Sequence, residues 1–294
     1  MTKLLSTCAL IGLGVITHSN AFTTHHSKCF NGAKLSSTRI TSTSVNEQDS
    51  ESKDIASTSD NDNPRLSGLA FLLDDGTRKS HSIAQNTAFV SGFFKGLSTR
   101  EAYRSLLTSL YFVYTSMEDS FDSTSEQCVA ALDDKELRRV EALERDMDYF
   151  YGSEWRGIIQ PSPATQAYVS RIQEVAEKSP YLLIAHQYTR YLGDLFGGQM
   201  MSGMASRSLD LEDGQGVAFY QFEDIPGTKD FITDWYCRLN DLSLTDEQKK
   251  EIVDEANFVF DLNIGILEEL DGSPLKALWM LAMNTIKLNL GVSS

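Results

Sequence analysis

After residue 62, the apolar positions of this 294-residue chain recur at three- and four-residue steps, the period of helices that bury one face. Leu66, Leu69, Leu72, Leu73 and Ile83 define a first amphipathic helix, with Asn63 and Pro64 as its N-cap and first helical residue. Ser98 followed by Glu101 reads as a capping box. It opens a second helix carrying Tyr103, Leu106, Leu107, Leu110, Tyr111 and Tyr114. A charged amphipathic helix is predicted over 133–149, and another from the Pro161/Pro163 break to about Lys178. Ser179-Pro180 starts a long helical segment through Leu209, and the short run Val217 to Phe222 ends in the turn Asp224-Ile225-Pro226-Gly227. Helices follow over about 228–242 and 245–270, the second opening on Thr245 with Gln248 three residues on. There is no strand–helix alternation and no repeat. The pattern predicts a single all-α domain over 63–271.

The two ends read differently. Lys3, the short apolar run Leu4 to Ile16, and Ser19-Asn20-Ala21-Phe22 predict a signal peptide over 1–21. Residues 22–62 are rich in Ser and Thr and too poor in apolar side chains to fold; a transit peptide or disordered linker is expected. Residues 272–294 predict an amphipathic helix with Leu275, Leu278, Trp279 and Ile286, interrupted by Lys276 and Lys287. It is too short and polar to span a bilayer, so it should dock on the core and leave the mature chain without a transmembrane segment. Hydrophobic residues make up 41% of the chain, enough for a core, and the net charge of −15 excludes nucleic acid as a natural partner. Cys8, Cys29, Cys128 and Cys237 include no close pair, so no zinc spacing or disulfide framework is read.

Two segments carry candidate chemistry. Setting aside the leader leaves two histidines, His81 and His186. In Gly76-Thr77-Arg78-Lys79-Ser80-His81, Arg78 stands one turn before His81 on the same face. A neutral imidazole ligates iron, and a neighbouring cation pairs with an anionic ligand edge; a satisfied helical histidine is the plainer reading. The second segment, Tyr191-Leu192-Gly193-Asp194-Leu195-Phe196-Gly197-Gly198-Gln199-Met200, places three glycines inside a helical pattern. Each costs about 1 kcal/mol against alanine, so the cluster needs a reason. Gly193 and Gly197 share a face on which the backbone can approach a flat ligand or another helix, and Gly197-Gly198 permits a bend. Asp194 beside that bare face is either a solvated charge or an acid that organises water and protons.

Taken together, His81 with Ala84-Gln85-Asn86, Leu110 to Tyr114, Ala185 to Leu195 with Gly197-Gly198-Gln199, Ala218-Phe219-Tyr220, Glu255-Ala256-Asn257 and Leu262-Asn263 resemble the heme oxygenase family over about 66–271. The resemblance implies an all-α fold with heme sandwiched between a proximal and a distal helix. It implies heme b as both cofactor and substrate, O2 as co-substrate, and biliverdin, carbon monoxide and ferrous iron as products. His81 matches the axial iron ligand, Thr77 lies one turn before it, and Arg78 matches a basic residue near the propionates. Tyr188 matches a heme-edge contact, and Gly193 and Gly197 match the distal glycines, with Gly198 completing the pair. Asp194 matches the carboxylate that holds water and delivers protons, and Tyr114 and Arg190 match its hydrogen-bonding surroundings. The Ala21-Phe22 junction is similar to the signal-then-transit presequences of algae with secondary plastids, implying the chloroplast stroma. In that compartment the family's usual electron donor is ferredoxin, and a monomer is expected.

Some positions depart from the family pattern. Phe196 stands where serine is common and would cap or crowd the distal pocket. Asp74, Ile232 and Tyr236 fall where basic propionate anchors are usual; Tyr236 retains one hydroxyl to offer. Arg238 lies about 200° round the helix from Tyr236. These departures also admit a heme- or bilin-binding protein without turnover. A di-metal carboxylate oxidase would need Glu-x-x-His pairs, which neither His81 nor His186 has. A basic docking patch for an acidic ferredoxin would draw on Arg78 and Lys79, Arg100 and Arg104, or Arg138 and Arg139.

Overall fold

Leu69, Ala70, Leu73 and Ala84 bury one stripe of α1 (Gly68–Gln85), as the three- and four-residue spacing requires. The computed structural model describes residues 63–87, 99–212 and 214–270, the side chains of 198–200 excepted. The expected leader, 1–62, and C-terminal helix, 272–294, lie outside the described residues. Among those described, every regular element is helical: α2 (Arg100–Ser123), α3 (Gln127–Ala130), α4 (Val140–Tyr151), α5 (Pro163–Lys178), α6 (Leu183–His186), a π-helical turn (Gln187–Leu192), α7 (Gly193–Leu209), α8 (Thr228–Asn240) and α9 (Asp246–Leu270), with short 3-10 turns between some of them. The all-α expectation holds.

Helix ends show where tertiary contacts overrule local signals. Asn63 and Pro64 open a separate 3-10 turn, Pro64–Leu66, in which Asn63 Oδ1 accepts from the Arg65 amide at 3.1 Å. The first helix starts later because Asn240, at the end of α8, caps it from outside. Its Oδ1 accepts from the Ala70 amide at 2.9 Å and its Nδ2 donates to the Pro64 carbonyl at 2.6 Å. Thr99 caps α2, accepting from the Ala102 amide at 3.1 Å, while Ser98 of the expected capping box lies outside the described residues. The charged helix expected from 133 begins at Val140, since Arg138 folds back onto Asp133 at 2.6 Å. The Thr245/Gln248 capping box forms as expected, with reciprocal bonds of 3.0 and 3.2 Å.

The long segment through Leu209 is not uniform α-helix. Its π turn takes in one extra residue per hydrogen-bonded ring, and all six side chains from Gln187 to Leu192 are buried. It is therefore enclosed on every side. Beside it, α1 and α9 run parallel in close contact. Asn257 Nδ2 donates to the Gly76 carbonyl at 3.1 Å, and Ser80 Oγ meets Asn257 Oδ1 at 2.6 Å. A Cβ on Gly76 would fall 2.5 Å from Val253 Cγ1, so glycine sets that approach. On the far side, α2 is flanked by α4 and α5.

A buried carboxylate ties the 3-10 turn Ala218–Tyr220 to α4. Asp146, 1% exposed, accepts from the Ala218 and Phe219 amides, both at 2.8 Å. Burial pushes its carboxyl up to about 6, against the two amides, which favour the anion. The folded state thus binds this proton more tightly than the unfolded chain, and the group's contribution to stability falls as pH rises from about 3.9 through about 6. Asp146→Ala orphans both amides and should cost about 2–4 kcal/mol in denaturant unfolding, with Asp146→Asn costing less. An unchanged midpoint for the alanine variant would show that the turn needs no such anchor.

Candidate active site

The proximal residues line up along α1. His81 is partly buried, with its Nε2 3.1 Å from the Gln85 amide nitrogen one turn on and its ring edge-on to Phe260 of α9 at 5.9 Å. Thr77, one turn earlier, is buried and donates from Oγ1 to the Leu73 carbonyl at 2.7 Å. Arg78 faces outward, 69% exposed, and pairs with Asp75 at 3.1 Å and Asp74 at 3.9 Å. It therefore stands at the rim, in a pairing that water weakens.

The distal residues come from the π turn and the start of α7. Gly193, Asp194 and Gly197 are buried, and Phe196 is partly buried against the core. Gly198 continues the helix, but its surroundings lie outside the described residues. Asp194 is fully buried. Tyr114, arriving from α2, donates a close hydrogen bond to Asp194 Oδ2, and Arg190 reaches the same oxygen at 3.4 Å. Arg190 also donates to Asn263 Oδ1 on α9 at 2.7 Å, and its guanidinium lies 5.4 Å over the Tyr114 ring. The Tyr114 ring is held edge-on by Tyr191 at 5.0 Å and Phe219 at 5.4 Å. Asp194 Oδ1 is buried with no hydrogen-bond partner. Burial holds this carboxyl well above the usual carboxylate range, which favours the protonated acid. The result is one oxygen fixed by two donors and one left to carry a proton.

The two halves meet at the other end of α1. Tyr188, from the π turn, is buried with its hydroxyl against Thr77, and Asp74 and Arg65 lie in electrostatic range. Tyr236 of α8 is 2% exposed and has the Arg65 guanidinium 5.6 Å over its ring. Arg65 in turn pairs with Asp74 at 3.2 Å.

Sequence reading missed several of these partners. Asn263 and Glu255 sit among apolar positions of α9, and a polar residue in such a stripe is the signal that marks a buried partner. Glu255 is 2% exposed, held by Arg171 at 3.0 and 2.5 Å and by His186 Nε2 at 3.2 Å. Burial raises its carboxyl, yet these bonds hold it below the usual range, so His186 is a buried core partner of an acid. Nothing in the sequence pointed to Arg65.

Residues 67–269 match the family described as heme oxygenase. The chain is 43% identical over 221 residues to heme oxygenase 1 of Nostoc sp., covering 75% of this chain and 93% of that protein. It belongs to the heme oxygenase family. The Rhodella violacea heme oxygenase is 43% identical over 220 residues, covering 74% of this chain and 94% of that protein. Heme oxygenase-1 from the cyanobacterium Synechocystis, solved in complex with heme, superimposes with a TM-score of 0.68 at 42% identity, covering 75% of this chain and all of that one.

Within this heme oxygenase fold, three arginines weighed from the sequence are engaged elsewhere. Arg238 pairs with Asp134 at 2.7 Å and Asp234 at 3.0 Å and donates to the Ala131 carbonyl at 2.7 Å. Arg138 and Arg139 do not form a docking patch: Arg138 is spent on Asp133 and Asp122, and Arg139 is 6% exposed and donates to backbone carbonyls. Ile232 is buried in the core. No helix among the described residues is long and apolar enough to cross a membrane, and no three of their His, Cys, Asp or Glu side chains gather as a metal site.

Proposed function

We propose that this heme oxygenase holds heme between α1 and the π turn with α7, and opens it to biliverdin, carbon monoxide and ferrous iron with electrons from ferredoxin, as a monomer in the chloroplast stroma. The observation that carries the site assignment is Asp194: fully buried, fixed through Oδ2, and partnerless at Oδ1. The residues suit heme. His81 offers an imidazole whose Nε2 meets the neutral amide side chain of Gln85, which can give way, and the distal segment presents two glycines beside an orphaned buried acid. Heme, when bound, supplies both the iron at which dioxygen is reduced and the ring that is opened.

Each residue then has a defined task. His81 would hold the heme iron through the Nε2 that now faces the Gln85 amide. Gly193 and Gly197 let backbone lie close to a flat ligand. Asp194 passes a proton at Oδ1 while Tyr114 and Arg190 keep Oδ2 from turning. Thr77 and Tyr188 line the ligand edge, with Tyr236, and Arg78 stands at the rim. Phe196 helps exclude water; if it also crowds the oxygen side, Phe196→Ser should raise turnover about 2–10-fold, and an equal or lower rate would assign it to sealing alone.

Product analysis tests the reading. Aerobic turnover of the full chain with hemin and reduced ferredoxin should yield biliverdin; heme recovered intact would overturn it. Ferredoxins are acidic, so docking should fall on Arg78 with Lys79 or on Arg100 with Arg104. All except the half-buried Arg104 are exposed. Ferredoxin-driven rates should drop with salt. Salt-insensitive rates would remove the partner assignment without touching the chemistry.

A further inference from the structure

We propose that Arg65, in the turn ahead of α1, is the anchor for a carboxylate of the bound heme, kept by Asp74 until the ligand arrives. This rests on the heme reading above and names the residue that receives the ligand's acid groups. Heme carries its two carboxylates on one edge, and taking them out of water requires cations or hydrogen-bond donors. Asp74, Thr77 and His81 lie three and four residues apart and share a face of α1. Asp74 is seven residues from His81, about 10 Å along the axis at the α-helical rise. That is the scale separating the centre of a porphyrin from its carboxylates.

At that end the structure gathers Arg65, Asp74, Thr77, Tyr188 and Tyr236. Tyr236 and Ile232 of α8 bring no charge, and Arg78 points outward. Arg65 is different. Its side chain is 19% exposed, its guanidinium lies over the Tyr236 ring, and its Nε is buried without a hydrogen-bond partner. A guanidinium has five N–H donors in a planar fork suited to a carboxylate. Among the described residues, only one guanidinium nitrogen of Arg65, Nη2, is in a hydrogen bond, to Asp74 Oδ1. Asp74 is the more exposed partner, at 34%, and Arg78 is already within 3.9 Å of its other oxygen. An incoming carboxylate can therefore take the Arg65 fork while Asp74 keeps its contact with Arg78, so the Arg65–Asp74 pair gives way to an Arg65–ligand pair without leaving Asp74 unpaired.

The test compares iron(III) protoporphyrin IX with its dimethyl ester, which lacks the charged carboxylates, by absorbance titration of the full chain. Arg65→Ala should weaken binding of the free acid about tenfold, or about 1.4 kcal/mol, and leave the ester unchanged. Arg65→Lys should recover part of the loss. Asp74→Asn, which frees the guanidinium, should tighten the free acid and not the ester. Equal losses for acid and ester in Arg65→Ala would reduce Arg65 to packing on Tyr236 and overturn the anchor, as would no loss at all. An unaltered chain that binds neither porphyrin would overturn the heme reading itself.

Discussion

Asp194→Ala should still bind heme yet open the ring about 100- to 10,000-fold more slowly, the span expected when a positioned proton-transfer group is removed. The argument is geometric. Tyr114 and Arg190 both donate to Oδ2, so the side chain cannot swap its oxygens without losing two bonds, and Oδ1 stays without a partner. Burial favours the protonated acid, and a protonated Oδ1 is a donor with nothing among the described residues to donate to. Asp194→Asn separates the two contributions. It keeps the volume and Oδ2-like acceptor but has no acidic proton to give, so it should be nearly as slow as alanine. Single-turnover absorbance decay of the heme complex measures this. An asparagine variant at full rate would remove Asp194 from proton delivery and leave it as a structural partner of Arg190. Tyr114→Phe should slow turnover less, since Arg190 still holds Oδ2.

His81→Ala should abolish the histidine-ligated spectrum and stop ring opening, and added imidazole should restore part of both. Among the described residues, His186 is the alternative histidine, and it is fully buried against Glu255, out of reach of any ligand. Loss of the iron ligand should weaken heme binding by at least the roughly 10–100-fold that losing even an outer partner of a metal ligand costs. Gln85 is the informative companion. Its amide meets His81 Nε2, the atom proposed to bind iron, so Gln85→Ala should leave the spectrum of the complex intact. A His81→Ala chain with an unchanged spectrum would place the ligand elsewhere.

Much of this was legible in the sequence because it depends on local periods. The apolar steps gave the long helices and their buried faces, and the Thr245/Gln248 box formed as written. The glycine-interrupted segment with Asp194 stood out because three glycines in a helix are costly enough to need a purpose. What could not be read depends on contacts between distant residues. The start of α1 is set by Asn240, some 170 positions away. The π turn coincides with a segment, Gln187–Leu192, whose six side chains are all buried, and no residue in it announces one extra backbone step. Arg65 looked like an ordinary charge before a helix, and only the chain's return through Tyr236 encloses it. Arg138 and Arg139 show the converse, since two adjacent arginines suggested a basic patch and the fold spends both internally.

The most direct measurement of the central claim is the absorption spectrum of the full chain mixed with hemin, followed after a reductant is added in air. The account predicts a histidine-ligated heme band that decays as a biliverdin band rises with release of carbon monoxide. A heme band that persists through reduction and oxygen exposure would contradict it, leaving a protein that grips heme without opening it.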